Sequence, residues 1–254
     1  MALFSDGAVS TVADLTAQDS SLLEVAATEG INLIQKLELA QNEVGLELAS
    51  SLERVRSTYS PLWGQLQYTV ANVVVTAPLH VWHTYRTLAA VYRDAYFSQL
   101  NARYAAKWQL FEKLARKAMQ DTLELGLGVV SDPVPQADMP QLSTAVGAGG
   151  GGTFYAAVAF LNAAGEEGLA STVMDLTLAP GSLLVITAGM APANATGWNA
   201  YGGTDPGALA LLNAAPLANG TSFTWVPGIT GGRGPRSGQT PNATRVIPRV
   251  WQRG

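Results

Sequence analysis

The sequence predicts a multidomain α+β protein. An N-terminal all-α helical bundle spans residues 1–142, an all-β sandwich spans 143–230, and an extended arginine-bearing C-terminal arm spans 231–254. Three observations lead there. Charge is uneven: residues 1–142 carry 15 acidic and 10 basic side chains, residues 143–254 only 4 and 5. Hydrophobic periodicity changes at the same place, from a spacing of three to four to short runs bounded by turn residues. Between the two halves, SDPVPQADMPQLSTAVGAGGGG (131–152) carries three prolines and four consecutive glycines, and reads as a linker.

The first half reads as helices. Ser10 or Thr11 caps a segment from about Val12 to Glu29, and Gly30 stands at its C-terminal stop. A second helix runs from about Asn32 to Arg56, with Leu33, Leu37, Ala40, Val44, Leu48, Leu52 and Val55 on one face. Pro61 and Gly64 interrupt residues 57–75, where Val73-Val74-Val75 fits either a short strand or a buried helical turn. Thr76 is an N-cap with Pro78 in the first turn of a third helix, to about Phe97. A fourth runs from about Asn101 to Leu125, stopping at Gly126 or Gly128, with Tyr104, Trp108, Phe111, Leu114, Ala115 and Ala118 on one side. Four such helices predict a bundle.

In the second half, apolar-rich runs at 153–161, 173–178, 183–187, 197–201 and 222–225 are separated by turns such as Ala179-Pro180-Gly181-Ser182. Short strands at this spacing fit a sandwich or a small barrel; a length of about 80 residues suits a seven-strand Greek key and favours the sandwich, with Trp198, Tyr201 and Trp225 as core or surface aromatics. From Gly231 onward come five arginines and no acid, set among Gly, Pro, Ser and Thr.

Composition bounds the chemistry. Apolar residues make up 48% of the 254 and charged residues 13%, which provides a core and excludes a disordered chain. A net charge of −4 supplies no general attraction to nucleic acid or anionic lipid. Absence of cysteine removes disulfides, thiolate metal sites, iron–sulfur clusters and cysteine nucleophiles. The opening MALFSDGAVSTVADL lacks a basic n-region, and no run of about eighteen apolar residues occurs, so neither a secretory signal nor a membrane span is expected.

Candidate chemical motifs are weak. His80 and His83, three apart on a helix, are two ligands where a metal site needs at least three, so they read as polar positions at a helix start or subunit contact. No G-x-S-x-G is present, and Glu166-Glu167 reads as a solvated turn pair. Gly152 is followed by Thr153-Phe154-Tyr155 and not by the lysine and hydroxyl residue of a phosphate loop. The sequons at Asn194, Asn219 and Asn242 read as turns. No catalytic, metal or cofactor-binding residue is assigned, and a non-enzyme is expected. The dense aromatics Trp63, Trp82, Tyr85, Tyr92, Tyr96, Tyr104 and Trp108 are expected in the core, with a subunit interface as the minority use. Apolar residues between the arm's arginines point to docking on protein, making Arg233, Arg236, Arg245, Arg249, Trp251 and Arg253 candidate assembly contacts.

The run WHTYRTLAAVYRDAYFSQLNARYAAKWQLFEKLARKA, followed by LGLGVVSDPVP, resembles the helical head-to-tail adaptor (neck) proteins of tailed bacteriophages. Its marks are a tyrosine-rich helix end, N-x-R-Y-x-x-K-W and an amphipathic last helix. QDSSLLEVAATEGINLIQKLELAQNEVGLEL fits the amino-terminal helices of such proteins. GTFYAAVAFLNAAGEEGLAS through ATGWNAYGGTDPGALALLN is similar to fibronectin type III or immunoglobulin-like (Ig-like) modules of phage virion proteins, whose core tryptophan falls here on Trp198. Small adaptors commonly lack such a module, which is a departure.

The resemblance implies a structural virion protein. It would form a homo-oligomeric ring, twelvefold in that family, joining portal to tail in the neck, with sandwiches decorating its outside. Its partners would be itself, the portal protein and a tail or nozzle protein; DNA would pass through without specific binding, and no membrane or cofactor would be involved. The location would be the virion neck, after synthesis in the host cytoplasm. The alternative is a collar, tail or capsid-decorating binding module whose sandwich recognises a host-surface glycan or protein through Trp198 or Tyr201.

Overall fold

The computed structural model describes residues 1–58, 68–99, 102–226 and 232–245. The chain forms two compact units: Gly7–Ser131 with the segment beginning at Pro241, and Met1–Asp6 with Asp132–Thr240. The passage between them thus falls at residue 131, eleven residues before the composition boundary at 142, and the arm is divided at Thr240. Helices precede antiparallel sheets in the order expected.

The first unit contains helices α1 (Val12–Gln18), α2 (Leu22–Glu29), α3 (Leu33–Thr58), α4 (Ala77–Gln99) and α5 (Ala102–Leu125), with a 3-10 turn at Val70–Asn72 preceding α4. Thr11 and Asp14 form a reciprocal capping box on α1. The single helix expected over 12–29 is two. Asp19 bends back to accept hydrogen bonds from the Ser21 amide (3.1 Å) and hydroxyl (2.8 Å), a local alternative to the helical ladder. Gly30 ends α2 at φ 66°, and the Asn32 side chain accepts from the amides of Ile34 and Gln35 to open α3. Leu37, Ala40, Val44, Leu48 and Leu52 face inward along α3 as their spacing requires. Tyr92 of α4 stacks on Phe111 of α5 at 5.6 Å, within a core that also takes Leu88, Val91, Ala95 and Tyr104. Val55, Pro61, Trp63 and Gly64 lie outside the described side chains.

After Gly126 the chain forms β1 (Leu127–Val129), which pairs antiparallel with β9 (Ala243–Arg245) in a two-stranded sheet absent from the sequence expectation. Val73 follows the 3-10 turn and bridges Val129, so the valine run is neither a full strand nor a helix.

The second unit holds β2 (Gln141–Val146), β3 (Gly152–Leu161), β4 (Met174–Leu178), β5 (Ser182–Thr187), β6 (Gly197–Gly203), β7 (Ala210–Leu211) and β8 (Ser222–Trp225). One sheet has the order β2-β5-β8, the other β4-β3-β6-β7. Only β3–β4 and β6–β7 join neighbours; every other connection crosses between sheets, as in an Ig-like Greek-key sandwich. Phe154, Val158 and Phe160 of β3, Leu184 and Ile186 of β5, Trp198 of β6 and Trp225 of β8 share one core between the sheets. The stretch read as a linker is part of this sandwich. β2 pairs with β5 over its full length, and Gly149 accepts from the Gly181 amide at 2.8 Å. A Cβ on Gly149 would lie 1.8 Å from the Ser182 carbonyl oxygen, so the β2–β3 connection requires glycine for close approach. Composition alone could not separate this packed turn from a flexible joint.

Candidate functional site

A buried polar cluster in the second unit centres on Glu167, and β6 explains its position. Along this strand side chains alternate between faces. Trp198 and Ala200 enter the core between the sheets, while Asn199 and Tyr201 point to the opposite face. That face is covered, since β6 is buried over its whole length. The chain reaches it through a turn in which the Asn162 side-chain oxygen accepts from the amides of Ala164 (3.1 Å) and Glu166 (2.9 Å). Glu167 then bridges Leu161, and the Gly168 amide donates to the Phe160 carbonyl at 3.0 Å.

Glu167 is 2% exposed. Its carboxylate accepts from the Tyr201 hydroxyl, from Asn199 Nδ2 at 3.2 Å and from the Arg233 guanidinium, and Arg236 Nε lies 4.0 Å away. Asn199 in turn accepts from Asn213 Nδ2 at 2.9 Å. Burial pushes the Tyr201 phenol well above its ordinary range, and the Glu167 carboxylate pushes it further, so Tyr201 acts as a permanent donor. Burial alone would lower the Arg233 value; the hydrogen bond and charge of Glu167 raise it instead. Arg233 arrives on a segment pinned at several points. Its carbonyl accepts from the Leu211 amide at 2.9 Å, Ser237 bridges Leu169, and Gln239 donates to Asp132 O (3.0 Å) and Glu166 Oε2 (2.9 Å). The cluster is a closed hydrogen-bond network that fastens residues 232–240 across the outer face of a sheet.

Glu166 and Glu167 are therefore not the solvated turn pair that adjacency indicated. The Glu167 carboxylate takes all its hydrogen-bond partners from 32–66 positions away, and Glu166 joins its neighbour Asn162 (3.0 Å) to Gln239, 73 positions away, which no local pattern displays. The one signal present was W-N-A-Y in β6, where polar Asn199 and Tyr201 alternate with Trp198 and Ala200.

The other predicted site residues fall as follows. Arg233 and Arg236 face Glu167 of their own chain. Arg245 sits in the first unit, its guanidinium 4.6 Å from the centre of the Tyr68 ring and its Nε buried without a hydrogen-bond partner. Arg249, Trp251 and Arg253 lie outside the described residues. Trp198 and Tyr201 are fully buried and Trp225 is 3% exposed, so all three are core residues. Trp198 Nε1 donates to the Ala218 carbonyl at 3.1 Å, and Trp225 meets Phe154 edge-on at 5.5 Å. This removes Trp198 and Tyr201 as surface contacts for a glycan or protein.

The first unit has its own closed clusters. Asp19 accepts from Lys107 Nζ and Tyr92 OH, each at 2.6 Å; burial would raise its pKa, but these donors and Ser21 outweigh it and bring it to about 2. Arg86 donates to Glu43 at 2.5 Å and reaches Glu112 at 3.3 Å. His83 is fully buried. Its Nε2 lies 3.2 Å from the Leu37 carbonyl and so carries the proton, leaving Nδ1 to accept from the Ser10 hydroxyl at 2.7 Å. Burial lowers its pKa to about 4. His80 instead faces Asp14 at 3.3 Å, so the two histidines serve different partners. Among the described residues no group of three or more His, Asp or Glu is placed to hold a metal.

No protein-family model, curated protein or solved structure matches this chain.

Proposed function

We propose that this chain is a structural virion protein that assembles into a ring in a phage neck, joining portal to tail, with its sandwich as an outward decoration. The observation that carries this reading is the use made of its charged and polar groups. Glu167, Arg233, Asp19, Lys107, Arg86 and His83 are each bound to another residue of the same chain. Groups saturated in this way hold segments in register, as a load-carrying scaffold requires. The helical unit is the part that the resemblance to neck proteins covers, and the appended sandwich is similar to modules of phage virion proteins. In this reading the helical unit forms the ring wall, and residues beyond Arg245, which include Arg249, Trp251 and Arg253, lock onto the portal or a neighbouring copy once the ring forms.

The test is the mass of the purified chain in solution, alone and mixed with the portal ring of its particle. A closed oligomer of fixed copy number, formed alone or on the portal, is expected. A chain that stays monomeric in both mixtures overturns the proposal.

A further inference from the structure

The three-stranded sheet of the second unit carries no charged side chain in any strand: β2 reads QLSTAV, β5 SLLVIT and β8 SFTW. β2 is one edge of this sheet and pairs with β5 alone. In an antiparallel ladder alternate residues exchange both backbone bonds, and the residues between them turn theirs the other way. The Gly147 amide donates to the Gly181 carbonyl at 2.9 Å, one step beyond the Val146–Ser182 pair, and this fixes the phase. Gln141, Ser143 and Ala145 therefore bond to β5, while the N–H and C=O groups of Leu142, Thr144 and Val146 point away from the sheet. Among the described residues no backbone group meets them. Native edges of this length are usually blunted by a lysine, a proline or a bulge. β2 has neither residue, and its register with β5 is unbroken. Val146 at its end is 97% exposed.

Such an edge takes an extended strand, and its own symmetry says which. The outward residues are disposed evenly about Thr144. With a second β2 laid antiparallel so that Thr144 faces Thr144, Leu142 of each copy stands opposite Val146 of the other, and every outward N–H finds a C=O. The side chains agree with this register: the exposed valine gains an apolar cross-strand neighbour, and two threonines meet at the centre. No charge on either strand opposes the approach, and none selects a charged partner. The remaining described edges of the sandwich match less well, because β4 carries Asp175, β7 is two residues long and β8 four. We propose that β2 is a self-association edge, pairing antiparallel with β2 of a second copy about Thr144 and joining their two sheets into one. The pairing requires only the sandwich unit and does not rest on the ring reading.

The test is amide hydrogen exchange at Leu142, Thr144 and Val146 in the full chain, from micromolar to millimolar concentration. Pairing predicts that these three amides slow by about tenfold or more as concentration rises, while those of Ser143 and Ala145, already bonded to β5, change little. Thr144→Lys and Thr144→Glu each set two like charges face to face across the twofold, so each variant alone should lose the slowing. An equimolar mixture of the two sets lysine against glutamate and should recover it. Thr144 is exposed, so the fold is kept, which far-ultraviolet circular dichroism and the urea midpoint check. Fast exchange of the three amides at every concentration in the wild-type chain overturns the proposal. So does slowing that is independent of concentration, which makes a segment of the same copy the occupant. Slowing that survives in both single variants, or that the mixture fails to restore, overturns it as well.

Discussion

The hydroxyl of Tyr201 donates to the carboxylate of Glu167 on the outer face of the four-stranded sheet, beneath a segment that Arg233 closes from the other end of the chain. Three stretches separated by 34 and 32 residues are thereby tied at one buried carboxylate.

Removing one member of this network should cost more than a surface ion pair does. Arg233→Ala leaves Glu167 buried with Arg236 as a distant partner, a situation that typically costs about 3 kcal/mol or more. Glu167→Gln strips the charge but keeps an acceptor, and should cost less. In urea unfolding the double variant should fall short of the sum of the singles by about 1 kcal/mol or more, because both remove the same interaction. Additive losses would mean that the pair is not coupled.

Gly149 and Gly150 give a sharper test of the β2–β3 connection, since they are adjacent and chemically identical. A Cβ at Gly149 meets backbone at 1.8 Å, whereas at Gly150 nothing lies within 4 Å. Gly149→Ala should destabilise the sandwich by about 1–3 kcal/mol, the usual cost of overpacking. Gly150→Ala should be close to neutral in the same thermal or urea unfolding measurement. Equal effects would return this stretch to the status of a linker.

That contrast shows where the sequence was legible and where it was not. Elements set by local periodicity and capping were read closely. Examples are Thr11 and Thr76 at helix starts, Gly30 and Gly126 at helix ends, the α3 stripe from Leu37 to Leu52, and strands β3, β5, β6 and β8. Elements defined by distant partners were missed. β2 contains Ser143 and Thr144 and shows no strong alternation, and it becomes a strand because β5 pairs with it. β1 and β9 are three residues each and are defined by their pairing with one another and by the Val73 bridge to Val129, none of it local. Glu167 looked solvated because its partners, Asn199, Tyr201 and Arg233, are brought in by tertiary structure.

Acid should destabilise the helical unit in two windows. His83 is lowered by burial to about 4 from 6.5, so the unfolded chain takes up a proton that the folded chain refuses. Its contribution is complete above pH 6.5 and is lost as pH falls towards 4, by about 3 kcal/mol at the upper limit. Asp19 is held at about 2 against an ordinary 3.8, so its contribution is lost below pH 3.8. Stability measured in urea from about pH 8 to 3 should therefore fall with decreasing pH. His83→Gln should flatten the slope between pH 6.5 and 4 and leave the lower limb in place. An unchanged slope in that variant would remove His83 as its source.

Trp198 fills the centre of the sandwich core, fully buried and hydrogen-bonded to Ala218. Trp198→Ala should cost about 3–5 kcal/mol. Because the side chain never meets solvent, its replacement by Phe should leave any ligand affinity of the folded protein unchanged while lowering the unfolding midpoint. Weaker binding of a glycan or protein by Trp198→Phe, with the fold intact, would contradict this placement.

In the proposed function the chain works by holding a position in an assembly. Electron microscopy of the particle that contains it, at a resolution that counts copies and distinguishes the helical unit from the sandwich, tests this most directly. A closed ring between portal and tail is expected, with helical units lining the wall and sandwiches on the outside. Copies scattered over the capsid or gathered at fibre tips would contradict it.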